Sequence, residues 1–259
     1  MVGRIMTLEA DTVASALAST FEHLFTAIPG GWVRRAEGIL GCVSGVPVPT
    51  LNGVWPEEAV PDEMLVSEVL DQIARSGLPY CLQVRPGAPE HLAELAVRRG
   101  MVEREPLPLM VLENPQHLAA AQEVEQLRIR QLEAEEALLH ARIAARGFEA
   151  PEEMFAQLMP PAVIAKPGTR CYLGTMGEDA VTTGLGVTLG DFVGIFNIAT
   201  PREHRGHGFG AAVTARAASD GLSSGASWSY LQSSVAGYGV YERLGYETLE
   251  RWSCWVTPT

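Results

Sequence analysis

The stretch that decides the fold runs from Ile195 to Val213: Ile-Phe-Asn-Ile-Ala-Thr-Pro-Arg-Glu-His-Arg-Gly-His-Gly-Phe-Gly-Ala-Ala-Val. An apolar strand leads into a glycine-rich turn and then into a helical pattern with Phe209, Ala212, Val213 and Ala217 on one face. Gly206, Gly208 and Gly210 alternate at the helix start, so its first N–H groups are expected to be uncovered by side chains. Free donors, the positive end of the helix dipole and the charge of Arg205 together suit a phosphate group.

Two nucleotide motifs fail on detail. A Walker-type loop needs a Lys after its glycines, and the only Lys of the chain is Lys166. A dinucleotide fingerprint needs an acidic residue after the next strand, where Leu231, Gln232, Ser233 and Ser234 stand. The remaining match is Arg/Gln-x-x-Gly-x-Gly/Ala, here Arg205 to Gly210, after a strand that ends in Thr200-Pro201. It resembles the acyl-CoA pyrophosphate loop of the GNAT superfamily of N-acetyltransferases. A second motif, Tyr241-Glu242-Arg243-Leu244-Gly245-Tyr246, is similar to the superfamily's Tyr-x-x-x-Gly-Phe/Tyr.

The resemblance covers about 124–259 and implies an α+β fold, a mixed and mostly antiparallel sheet flanked by helices. It implies acetyl-CoA as co-substrate, without a metal, and Tyr241 as the general acid that protonates the departing CoA sulfur. The backbone of Ile198, Ala199 and Thr200 would hold pantetheine and present one N–H to the acetyl oxygen. Arg205, Gly206, His207, Gly208, Phe209 and Gly210 would hold the pyrophosphate. Ser234 stands where relatives often place an Asn against CoA.

A phenol suits the acid's role, being fully protonated at neutral pH. The base is where the sequence departs from the family: relatives often carry a Glu on a central strand, and Ile195–Ala199 and Trp228–Ser233 have none. Asp191, Glu203, His204, or a water held by Asn197, Tyr230, Gln232 or Ser233 stay open.

The remaining chain repeats the order of elements. A helix is expected over 8–28, strands at 32–35, 39–46 and 50–55, a helix at 62–76, a strand at 79–84, a helix at 89–99 and two short strands up to residue 112. The second half reads as a strand at 124–132, helices at 133–146 and 151–158, and strands at 170–175, 180–189 and 192–199. After the glycine loop and its helix come a strand at 227–233, a helix at 237–244 and terminal strands within 246–256. One long helix over 116–146 is the competing reading. At an offset of 145, Asn52 matches Asn197, Pro56 matches Pro201 and Gly100 matches Gly245; Leu82-Gln83 matches Leu231-Gln232 at 149. Two tandem GNAT-like domains follow, 1–115 and 116–259.

The first copy has Val60-Pro61-Asp62-Glu63 opposite the glycine loop and Ala96 opposite Tyr241, so it is read as a degenerate copy without a CoA loop. An unrelated α+β domain over 1–115, or an N-terminal extension of one large fold, is the alternative.

Composition narrows the partners. The 259 residues carry a net charge of −12 with 47% apolar and 19% charged residues, which disfavours nucleic acid and anionic membrane and suits a small-molecule or peptide amine. Cys42, Cys81, Cys171 and Cys254 are too scattered for a metal site or disulfide framework, and they point to free thiols in the cytoplasm. No signal peptide or membrane span is expected. The acceptor and the oligomeric state are not legible, and two rival functions stand: an inactive acyl-CoA-binding module, or transfer from another acyl-CoA such as succinyl-CoA.

Overall fold

A computed structural model describes residues 8–114, 116, 118 and 124–258. Eleven strands form one mixed sheet in the order β1-β2-β3-β4-β11-β5-β10-β9-β8-β7-β6. The first half supplies α1 (Ala10–Phe25), β1 (Trp32–Ala36), β2 (Ile39–Val43), β3 (Asn52–Pro56), α2 (Glu63–Ala74), β4 (Cys81–Val84), α3 (Glu90–Arg98) and β5 (Val102–Leu112). The second supplies β6 (Leu127–Leu132), α4 (Ala137–Phe148), α5 (Glu152–Leu158), α6 (Pro161–Ile164), β7 (Thr169–Met176), β8 (Asp179–Leu189) and β9 (Phe192–Ala199). It continues with α7 (Phe209–Ser223), β10 (Trp228–Gln232), α8 (Val235–Arg243) and β11 (Glu247–Val256). The expected α+β fold in tandem arrangement is thus present.

Three readings are corrected. The alternative of one long helix over 116–146 gives way to the strand expected at 124–132: β6 pairs with β7 from Leu127↔Met176 to Leu132↔Cys171. The paired short strands expected before residue 112 and near the C-terminus are single strands, β5 and β11, of 11 and 10 residues. Irregular pairing at Thr248/Glu250 and Trp252/Cys254 bends β11 without ending it, and such bulges break the alternation that sequence reading relies on.

The third correction concerns the repeat. Cys42↔Gly53 and Leu40↔Trp55 in the first half correspond to Val187↔Gly194 and Leu185↔Phe196 in the second. Gly53 is therefore equivalent to Gly194 and Trp55 to Phe196, and the Asn52/Asn197 identity is coincidental. Both aromatics pack on Phe21 of α1, at 4.9 and 5.8 Å between ring centroids.

The two halves exchange their last strands. β5 lies between β11 and β10, and β11 lies between β4 and β5, so each terminal strand completes the sheet of the other half. The pair Leu107↔Trp252 joins residues 145 positions apart, the same offset as the repeat, and so marks a pseudo-two-fold axis. Cys81↔Val256 and Tyr230↔Val111 are related by it. Gln83 and Gln232 are likewise equivalent, and their side chains hydrogen-bond at 2.7 Å. Three strand spacings would separate them by about 14 Å in a flat sheet. The sheet must curl around the face that carries them.

On that face α1, α4 and α5 share one core, with Leu17, Trp55, Ile143, Phe155, Leu185 and Tyr230 among its buried members. On the other face α2 and α3 cover the first half, and α7 and α8 the second. Burial of this apolar surface, at about 25 cal/mol per Å², ties the halves together.

Candidate active site

The site begins with a parting of two strands. β9 and β10 are parallel and paired at Phe192↔Trp228, Val193↔Ser229 and Gly194↔Tyr230, and no further. Beyond Gly194, alternate backbone groups of β9 face an opening rather than a strand. The cause lies in β9 itself. Between Leu185↔Phe196 and Thr183↔Ala199 the ladder skips one residue on β9, and Asn197 takes a left-handed φ of +50°. This bulge turns the end of β9 away from β10, and Asn is among the few residues that accept such a φ cheaply.

Several groups pin the end of β9. Thr182 Oγ1 donates to the Ala199 carbonyl at 3.0 Å and lies 3.1 Å from Thr200 Oγ1. A Cβ on Gly147, in the last turn of α4, would stand 2.8 Å from Ala199 Cβ and 3.0 Å from Thr200 N. Glycine lets α4 approach that closely.

Gly206 and Gly208 adopt φ of +83° and +81°, and Gly208 precedes α7 without a side-chain cap. Among the described residues, no hydrogen bond uses the backbone N–H groups from Gly206 to Ala211. The expected anion-ready helix start is therefore formed. Phe209 is buried and anchors the loop, and His207 stacks on it at 5.6 Å while facing solvent.

Two residues expected at the cofactor also make bonds within the protein. The half-exposed guanidinium of Arg205 donates to the Thr200 carbonyl at 3.1 Å and the Gly147 carbonyl at 2.6 Å. It clamps the loop to α4, where a helix C-terminus attracts a cation. Ser234 caps α8 by accepting from Gly237 N at 3.2 Å.

Tyr241 lies on α8, on the α7 face of the sheet. It joins the apolar cluster that α7 forms on that face, its ring 6.3 Å from that of Tyr246. Burial pushes its hydroxyl up to about 12. No hydrogen bond among the described residues engages that hydroxyl. Bulge and uncapped helix start thus follow one another at the end of β9, and Tyr241 lies on the face of the sheet that α7 covers.

The candidates for a base narrow. The Tyr230 hydroxyl donates its one proton to Thr20 Oγ1 at 2.6 Å, with the Ala16 carbonyl 3.1 Å away, and is fully buried under α1. Glu203 is bound to Arg146 at 2.5 Å. Asp191 precedes β9, at the far end from the opening. Gln232 ends β10 and pairs with Gln83. Among the described residues no three His, Cys, Asp or Glu side chains are grouped to hold a metal ion.

The first half differs at these features. β2 and β3 pair without interruption from Ile39↔Pro56 to Val43↔Asn52, so β3 carries no bulge, although its pairing with β4 also stops, after Val54↔Leu82. Asp62 caps α2 by accepting from Leu65 N at 2.8 Å, which uses the donors that an anion would need. Arg85, 3% exposed, donates to the Glu57 carbonyl across the end of β3. It is paired with Glu250 at 3.0 Å and Asp11 at 2.7 Å and lies over the Trp252 ring. An ion-paired side chain fills the place equivalent to the opening of the second half. A groove of about 590 Å³ also lies on the first half, between Asp11, Arg35, Glu37 and Glu58.

Sequence reading missed the structural residues, Thr182, Gly147 and the bulge. A glycine inside the helical run Ala144-Ala-Arg-Gly147 was the available signal, since glycine in a helix interior marks close approach.

No family model matches the chain, and no curated protein matches it. Solved structures do. The chain is similar to a GCN5-related N-acetyltransferase from Kribbella flavida, at 22% identity and a TM-score of 0.68 over 95% of this chain and 96% of that one. It is similar to another from Sphaerobacter thermophilus, at 12% identity and a TM-score of 0.59 over 88% of this chain and 75% of that one. A tandem GNAT protein from the clavulanic acid biosynthesis pathway aligns over 97% of both chains, at 13% identity and a TM-score of 0.57. The chain therefore has the fold of the GCN5-related N-acetyltransferases, in their tandem arrangement.

Proposed function

We propose that the second half transfers an acetyl group from acetyl-CoA directly to a primary amine, with Tyr241 as general acid. The observation that carries this reading is the bulge at Asn197, which opens β9 from β10 beside an uncapped helix start and an unbonded phenol. The N–H groups of 206–211 would hold the pyrophosphate, with His207 at its edge and Phe209 as anchor. The backbone of Ile198, Ala199 and Thr200 would hold the pantetheine arm, and one N–H freed by the bulge would face the acetyl oxygen. Arg205 and Ser234 would act through the loop and helix that they fix. We take 116–259 as the catalytic domain and 1–115 as its degenerate partner, in a reducing cytoplasm that suits four buried free thiols.

The chemistry balances as follows. The amine first loses a proton to solvent water, and its lone pair attacks the thioester carbon while the carbonyl electrons move to oxygen. The electrons then return, the carbon–sulfur bond breaks, and Tyr241 gives its proton to the sulfur. The surplus proton on the new amide nitrogen returns to Tyr241 through water. Burial disfavours the phenolate and the thiolate alike, so a raised phenol still faces a leaving group of raised basicity.

Calorimetric titration with acetyl-CoA, followed by thiol release with a panel of primary amines, tests the reading. Binding with turnover supports it, and no binding of any CoA thioester refutes it. A second reading, acyl-CoA binding without transfer, is favoured by the commitment of Glu203 and Glu250 to arginines. Binding without thiol release would select it, and a larger shift with succinyl-CoA would select another donor.

A further inference from the structure

Besides the pairing of β5 with β10, the first half meets the end of β10 through one side chain, Gln83. Gln232 Nε2 donates to Gln83 Oε1 at 2.7 Å, and Gln83 Nε2 donates to Gln232 Oε1 at 3.4 Å. Gln83 is 1% exposed, and Gln232 is its only side-chain partner among the described residues. A buried carboxamide is costly unless bonded, so Gln83 holds Gln232 as firmly as Gln232 holds it. Gln232 itself is half-buried and ends β10. The register Gly194↔Tyr230, carried on two residues, sets it level with Phe196, next to the bulge. The reciprocal pair uses one N–H and one lone pair of each carboxamide. The other N–H and lone pair of Gln232 have no partner among the described residues. Tyr230, its neighbour on the same face, is fully used by α1.

We propose that Gln83 of the degenerate half is a positioning residue for the acceptor: it fixes the Gln232 carboxamide so that its free lone pair accepts an N–H of the incoming amine. The inference rests on the transferase reading above. A carboxamide does not titrate in the working range, so Gln232 orients the nitrogen and solvent water removes its proton. The degenerate copy is then kept because the pseudo-two-fold axis brings its Gln83 to the working half.

The test uses the full chain and follows thiol release from acetyl-CoA with lysine, ethylenediamine or glycylglycine, whichever is fastest. Gln83→Met keeps the length and packing of the side chain without its hydrogen bonds. It should raise the amine KM about fivefold to tenfold, with acetyl-CoA affinity by calorimetry within about twofold. Gln232→Met should do the same, and the double variant should be no worse than Gln232→Met, because the two act as one unit. An unchanged amine KM in Gln83→Met, or effects that multiply in the double variant, would overturn the proposal while leaving the transferase reading intact. A wild-type chain that releases no thiol with any of the amines overturns the transferase reading, and the proposal with it.

Discussion

Acid should destabilise this protein through one imidazole. His140 on α4 is fully buried, with Nδ1 2.7 Å from Thr183 Oγ1. The Thr183 hydroxyl donates to the Tyr172 carbonyl at 2.7 Å, so it accepts from His140 and Nε2 is left bare in the core. Burial holds the folded pKa down at about 4, against 6.5 for the free side chain. The unfolded chain therefore takes up the proton first as pH falls. Stability is complete above about pH 6.5 and is lost between there and about pH 4. One proton of difference is worth about 1.4 kcal/mol per pH unit, so about two and a half units give roughly 3 kcal/mol, out of a typical total of about 5–15. Urea unfolding at several pH values between 7.5 and 4.5 measures it in the wild type and in His140→Gln, whose amide can still donate to Thr183. The variant should start about 1–2 kcal/mol less stable and lose about 3 kcal/mol less on acidification. His23, also lowered by burial and then by Lys166, titrates in both chains and drops out of the comparison. Parallel curves for the two proteins would refute the argument.

Other outcomes follow from the same geometry. Tyr241→Phe should lower kcat by about 10²-fold or more with acetyl-CoA affinity nearly unchanged, and equal turnover removes Tyr241 from the mechanism. Its hydroxyl, raised to about 12, must be protonated to act, so it imposes no alkaline decline in kcat/KM below about pH 10; a decline near pH 9 that vanishes in Tyr241→Phe would contradict the assignment. Gly208→Ala places a Cβ at φ +81°, costing about 1–2 kcal/mol in the loop; calorimetry should show acetyl-CoA binding weakened about tenfold, and unchanged affinity would remove the loop from the site. Either half expressed alone should be insoluble, because β5 has both its sheet neighbours in the other half, whereas co-expressed halves should assemble; a soluble, monomeric first half would contradict the strand exchange.

The sequence by itself determined the local pieces. Glycine loop, amphipathic helices and most strands were legible because periodicity and turn chemistry act over a few residues. The motif order placed Tyr241 on the helix after β10, and the missing glycines set the loop of the first half apart from that of the second. The tertiary structure decided what depends on register. Which strand neighbours which, the bond of Arg205 to Gly147, the commitment of Tyr230 to α1 and the bulge at Asn197 all arise from contacts between distant segments. Sequence comparison recognised Gln83 and Gln232 as equivalents, and only the curl of the sheet brings their side chains together. Side-chain partners across a sheet are set by pairing register and curvature, and neither is written in any short stretch of residues.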